Sequence, residues 1–232
     1  MRRYLIILLA LAAVACSTTG KYKSLPEVKA WDKDIRAFER TDSSTGYPAE
    51  AVLFAGSSSI RIWNTLEKDM APYQVIQRGY GGAKLSDFAV YADRIFSPHQ
   101  CRAIVIFIAN DITGNADDKT PEEVAKLFRS VLKTIRSNHR ETPVFWIEVT
   151  PTPLRWKAWP EIQKANNLIP NICETSGNTY FIKTADAFLD GSGNPESSFF
   201  LSDRLHLTPK GYELWTKIIK KELTVVVPVP MP

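Results

Sequence analysis

Cysteine, histidine and methionine are scarce in this 232-residue chain, at three residues each. The histidines (His99, His139, His206) and cysteines (Cys16, Cys101, Cys173) are scattered, which excludes a metal centre of the usual closely spaced kind. An excess of one charge is lacking too: 29 basic and 25 acidic residues leave a formal +4, and two of those charges, Arg2 and Arg3, lie in a segment that reads as removable. Without a basic stripe interleaved with aromatics, nucleic acid is not an expected partner. The chain shows no internal repeats and no second domain. What it has is an ordinary globular composition, 44% hydrophobic and 23% charged, over a length that suits one domain with a sizeable core.

The N-terminus, MRRYLIILLALAAVAC, places two arginines before an apolar run from Tyr4 to Ala15, too short to span a bilayer as a stable helix. This is the layout of a secretory signal. Ala13-Val14-Ala15-Cys16 resembles the lipobox of bacterial lipoproteins, with Ala where Leu is usual, so Cys16 is the expected lipid anchor. The alternative is a plain signal peptide with a chance cysteine. The expected organisation is a lipoprotein signal at 1–15, a tether at 16–25, one main domain at 26–224 and a peripheral tail at 225–232. Cys101 and Cys173 are open to two readings, a disulfide or two buried free thiols.

Apolar positions Val28, Trp31, Ile35 and Phe38 recur at helical spacing, predicting a helix over 26–40, followed by a loop at 41–50. Five short apolar runs then read as strands: 51–55, 73–77, 103–109, 143–150 and 179–183. Helical stretches separate them at 60–66, 84–96, 121–138 and 156–176, the last expected to kink or break at Pro160 and Pro170. A final helix begins at Pro209, with Thr208 as its cap, and ends near Leu223. Near-continuous apolar strands alternating with helices predict an α/β fold: a three-layer α/β/α sandwich around a five-stranded parallel sheet. Trp63 and Trp146 read as core. Ligands of such sheets bind outside the carboxyl ends of the strands.

Four segments fall at those ends. In VLFAGSSSIRIW a buried strand runs into Gly56, and three serines open a helix whose free N–H groups can stabilise an oxyanion; a plain serine N-cap is the unreactive reading. In SDRLHLTPKGY, Asp203 and His206 lie three apart, so the acid can orient the base that a nucleophilic serine needs. After the second strand, Gly81-Gly82 permits close backbone approach to a ligand. After the third, Asn110 can donate its amide to an oxyanion and Asp111 can brace the loop.

Together these segments resemble the SGNH-type (GDSL-like) hydrolase superfamily, in its GSSS-containing esterase branch, over nearly all of the chain beyond the signal. The resemblance implies a flavodoxin-like fold, with Ser58 as nucleophile, His206 as base and Asp203 as its orienting acid. The Ser58 and Gly82 amides and the Asn110 side chain would form the oxyanion hole. Two positions depart from the family pattern: Ser57 replaces the Asp of the first block, and Ile108 replaces the Gly of the third. A β-branched Ile does not take the positive φ open to Gly, so the Asn110 loop is expected to be shaped differently if the family's Gly needs that conformation.

The implied activity is hydrolysis of short-chain, acetyl-type esters on carbohydrate, through an acyl-enzyme and without metal or cofactor. A lysophospholipase or thioesterase and a non-catalytic glycan-binding lipoprotein are the rival readings. Arg155 and Trp156, with Trp159, follow the fourth strand and offer a platform for a sugar, or else the tryptophans anchor the helix start in the core. The implied partner is a small-molecule or glycan ester. The membrane is expected to be engaged through the N-terminal lipid alone, in the cell envelope at the outer membrane or a periplasm-facing surface.

Overall fold

All five apolar runs become parallel strands in the computed structural model, which describes residues 19–229. They are β1 (Val52–Gly56), β2 (Val75–Gly79), β3 (Ala103–Phe107), β4 (Val144–Ile147) and β5 (Thr179–Ile182), in the sheet order β2-β1-β3-β4-β5. Every residue of β1, β3 and β4 is buried, as a sheet covered on both faces requires. Alternate side chains feed two cores: Leu53, Ile104, Ile106 and Trp146 enter one, while Phe54, Val105, Phe107 and Phe145 enter the other.

Nine α-helices cover the faces among the described residues: α1 (Gly20–Lys23), α2 (Pro26–Lys29), α3 (Asp32–Ser44), α4 (Ser58–Arg61), α5 (Leu66–Met70), α6 (Leu85–Phe96), α7 (Pro121–Asn138), α8 (Trp159–Thr175) and α9 (Pro209–Val226). The first core gathers residues of α1, α2, α3, α6, α7 and α8, the second those of α4, α5 and α9. The result is the expected three-layer sandwich. The strand order reverses direction at β1 and β3, so the crevice for a ligand opens at their carboxyl ends, Gly56 and Phe107.

Boundaries differ from the sequence pattern in instructive ways. The helix expected over 26–40 is divided at Ala30 and Trp31 and then continues to Ser44, into the segment read as loop. The helix expected over 60–66 is two short helices, α4 and α5. β2 starts two residues late because Tyr73 belongs to the preceding turn, buried with its hydroxyl donating to the carbonyl of Val227 at 2.7 Å. β3 and β4 stop at Phe107 and Ile147, short of the apolar residues that continue each run.

The expected break in the fourth helix is absent: Pro160 sits in the first turn of α8, where its missing N–H is harmless, and Pro170 lies inside an uninterrupted helix. Ile169 and Ile172, buried on either side of Pro170, pack into the core, and that packing outweighs the lost hydrogen bond. The segment read as a tether is not free throughout, since Tyr22 of α1 packs into the first core and Lys21 pairs with Glu123 at 3.1 Å. Likewise the final helix extends past 223, and Val227 is buried. The signal and the anchor at Cys16 lie outside the described residues. Cys101 and Cys173 are both free and buried, which decides between the two readings of that pair. Among the described residues, no helix is long and apolar enough to cross a membrane.

Candidate active site

The serine turn is built by close approach of backbones. Ser57 caps α4, its N–H donates to the carbonyl of Phe107 at 3.0 Å, and its own carbonyl accepts from Ile60 and Arg61 at 3.0 and 3.1 Å. A Cβ on Gly56 would overlap the Phe107 carbonyl, and one on Gly79 would overlap the backbone of Arg61, so both glycines are needed to seat α4 on the sheet. Gln77 Nε2 donates to the carbonyls of Ile60 and Trp63 at 2.6 and 3.2 Å, and the Tyr212 hydroxyl donates to the carbonyl of Ser59 at 2.8 Å. A helix of four residues has little stability of its own, and these neighbours hold it in place.

The histidine loop meets this turn from the other side. Leu201 N–H donates to the His206 carbonyl at 2.7 Å, and Arg204 adopts a left-handed φ of 62° that tightens the bend. Pro209 and the Thr208 cap, which accepts from Gly211 N–H at 3.2 Å, then start α9 as the sequence implies. In this setting His206 Nε2 lies 2.8 Å from Ser58 Oγ, and His206 Nδ1 lies 2.6 Å from Asp203 Oδ2. The other oxygen of Asp203 accepts from the backbone N–H of Leu205 and of His206, at 2.9 and 3.0 Å. Partial burial pushes the Asp203 carboxyl up, but the hydrogen bonds from the His206 ring and these N–H groups outweigh it and hold the group below its ordinary value. An ionised Asp203 accepts Nδ1–H, which leaves Nε2 free to accept the hydroxyl proton of Ser58.

Ser58 and Asn110 line one cleft, with Thr150, Thr152 and Arg155 among its polar residues and Leu207 among its apolar ones. Asn110 Nδ2 donates to the carbonyl of Ala83 at 2.9 Å, and its Oδ1 accepts from Arg155 Nη2 at 2.6 Å. Ile108 does not adopt a positive φ; it is buried in the first core, and Asn110 still faces the cleft. The substitution in the third block is thus absorbed without strain. Gly82 sits in an exposed turn where an added Cβ would meet nothing, and it is not among the cleft-lining residues.

Asp111 is a brace, as its position suggests: both oxygens accept from Leu85 N–H, at 2.9 and 3.1 Å, and Lys119 Nζ lies 3.3 Å away. Arg155 lines the cleft, whereas Trp156 does not. Trp156 stacks on buried Trp159 with ring centroids 6.1 Å apart and 16° between planes, the arrangement of a helix-start anchor. Trp63 and Trp146 are buried as expected. His139 caps α7 and contacts the Phe96 carbonyl at 2.9 Å, while His99 packs against Tyr47. Sequence reasoning missed Thr150, a buried residue whose hydroxyl has no hydrogen-bond partner among the described residues and which lines the cleft. Its signal was its place at the end of the fourth apolar run. No group of His, Cys, Asp and Glu able to hold a metal occurs among the described residues.

The sequence over residues 42–214 matches the family model of the GDSL-like lipase/acylhydrolase family. No protein of curated function matches it. Among solved structures, a Streptococcus pneumoniae protein described as a platelet activating factor is 17% identical, with a TM-score of 0.75 over 84% of this chain and 94% of its own. A GDSL-like lipase from Bacteroides thetaiotaomicron is 18% identical, with a TM-score of 0.69 over 82% of this chain and 97% of its own. A family 3 carbohydrate esterase from Talaromyces cellulolyticus is 14% identical, with a TM-score of 0.59 over 77% of this chain and 98% of its own.

Proposed function

The chain belongs to the GDSL-like lipase/acylhydrolase family and is a hydrolase of ester bonds, and within that family we propose a serine esterase in which Ser58 is the nucleophile, His206 the general base and Asp203 the acid that orients it. The observation that carries this reading is the unbroken hydrogen-bonded relay from Asp203 through His206 to Ser58, which lines the cleft.

In the proposed cycle Ser58 Oγ attacks the ester carbonyl as its proton passes to His206 Nε2. The oxyanion is held by the N–H of Ser58 and by Asn110 Nδ2; the Gly82 N–H, the further donor that the resemblance implies, lies on an exposed turn outside the cleft lining. The intermediate collapses, the carbon–oxygen bond to the alcohol breaks, and His206 protonates the leaving oxygen. Water then attacks the acyl-enzyme, giving its proton to His206, and the carboxylic acid departs as Ser58 regains its proton. No cofactor enters these steps.

The substrate in this reading is a short-chain, acetyl-type ester on carbohydrate, and the enzyme belongs to the GSSS branch of its superfamily. Its support is the polar lining of the cleft, where Thr150, Thr152 and Arg155 can meet hydroxyl groups, together with a fold shared with a carbohydrate esterase. The Ala13–Cys16 segment supports a lipid anchor on Cys16 and a place in the cell envelope. Rates across p-nitrophenyl esters of increasing chain length and acetylated sugars test the substrate class. An acetyl optimum is expected; a long-chain optimum would replace it with a lysophospholipase or thioesterase role. Cys16→Ser should abolish incorporation of labelled fatty acid, and unchanged labelling would remove the anchor.

A further inference from the structure

Arg155 occupies a position that the catalytic reading does not use. It leads into the single-turn helix Trp156–Ala158, with its backbone N–H donating to the Thr152 carbonyl at 3.1 Å, and its side chain reaches back to the end of β3. There Nη1 donates to the carbonyl of Ala109 and Nη2 to Oδ1 of Asn110, each at 2.6 Å. Two successive residues of the oxyanion loop are therefore gripped by one rigid, planar group.

The charge is as notable as the grip. Arg155 is the one charged residue among those lining the cleft. Burial pushes its guanidinium down from its ordinary value, with Asp118 and Asp111 opposing this through space. Among the described residues none forms an ion pair with it. A desolvated cation without a paired anion is costly unless something in the working cycle uses it.

We propose that Arg155 is a positioning residue for oxyanion stabilisation: it fixes the Asn110 amide with Nδ2 toward the cleft and sets a positive charge one amide group away from the developing oxyanion. This rests on the catalytic reading above. The geometry supports it in two ways. Oδ1 of Asn110 is held by Arg155 and one proton of Nδ2 by the Ala83 carbonyl, so the amide is clamped from both ends and its remaining N–H has a fixed direction. A cationic donor on Oδ1 also draws electron density from the amide, which strengthens that remaining N–H as a donor. The loop carries Ile108 where the family pattern has Gly, and the two hydrogen bonds from Arg155 supply a hold on this loop that backbone freedom at 108 does not.

The test uses a neutral ester, p-nitrophenyl acetate, so that recognition of a substrate charge plays no part. Arg155→Met should lower kcat about 10- to 100-fold with KM changed less than about threefold, the size of effect expected on weakening one oxyanion donor. Arg155→Lys should recover part of that loss, because it restores the charge and one donor. Asn110→Ala combined with Arg155→Met should be no worse than Asn110→Ala alone, since Arg155 acts through Asn110. Wild-type kcat in Arg155→Met, or losses that multiply in the double variant, would overturn the proposal. So would a loss confined to KM on esters bearing a carboxylate, which would make Arg155 a reader of substrate charge. If Arg155→Met does not fold, as judged by thermal unfolding, Arg155→Lys and Asn110→Ala carry the same comparison: a kcat loss in Lys that vanishes in the Asn110→Ala background supports the role, and an equal loss in both backgrounds overturns it. Labelling of Ser58 by an organophosphonate in the same preparations reports separately on the nucleophile, so failure of the Arg155 role leaves the catalytic reading distinguishable.

Discussion

Asp111 gives both of its carboxylate oxygens to a single backbone N–H, that of Leu85, and so fastens the loop after β3 to the start of α6. Asn110, one residue earlier, bonds to the Ala83 carbonyl on the same segment. The loops that carry Asn110 and Gly82 are thereby locked into one unit. Asp111→Ala would leave Lys119 without its buried partner and a helix N–H without its acceptor. A stability loss of about 3 kcal/mol is expected in urea unfolding, with a fall in kcat larger than any change in KM. Wild-type stability in the variant would show that the fastening is dispensable.

Gly79 makes a comparable statement about α4. Because a Cβ there would overlap the Arg61 backbone, Gly79→Ala must displace the helix that begins with Ser58. We expect about 1 to 3 kcal/mol of destabilisation together with a loss of esterase activity. Unaltered activity at unaltered stability would contradict the packing described for this turn.

The buried Asp87 predicts a pH dependence away from the site. Its carboxyl is pushed up to about 6, chiefly by burial, although it accepts the Lys84 N–H at 2.8 Å. A carboxyl whose folded pKa lies above its unfolded value favours the protonated form in the folded state. Its contribution is therefore most favourable below the unfolded value and declines as pH rises through about 6. The loss is of order 3 kcal/mol at most. Urea unfolding at pH 4 and pH 8 should show wild type falling relative to Asp87→Asn across this range; parallel curves would show that Asp87 is not desolvated.

Cys101 and Cys173 should behave as inert core thiols. Burial pushes each up to about 12, far from the range of a reactive thiolate. Mass mapping after iodoacetamide treatment at pH 8 should find both unmodified in the folded protein and both modified in urea. Modification of either in the native state, or a disulfide between them, would contradict their burial.

Much of this arrangement was legible in the sequence because it rests on local signals. Gly56 and the following serines mark a strand-to-helix turn, and Asp203 and His206 are three apart, so one tight bend places the acid beside the base. The sheet was legible because neighbours such as Ile104 and Val105, which point to opposite faces of their strand, are both apolar. What could not be read depends on distant partners. Nothing near Arg155 announces that its side chain will cross to Ala109 and Asn110, since the contact spans 45 positions. The hydroxyl of Thr150 becomes a cleft residue only once β4 stands beside β3. Pro170 reads locally as a kink or a break, yet the helix runs through it unbroken because core packing on Ile169 and Ile172, invisible to local propensity, keeps it whole. Tyr22 reads as part of a tether because its burial in the first core depends on elements far along the chain, α6 among them.

The most direct test of the central claim is to label the protein with an organophosphonate and map the modified residue by mass spectrometry. Reaction requires a serine whose proton is taken by a neighbouring base, so it probes nucleophile and relay together. The account predicts a single tag on Ser58, absent from Ser58→Ala and reduced at least about 100-fold in labelling rate in His206→Ala. A tag on Ser57 or Ser59, or undiminished labelling without His206, would contradict it.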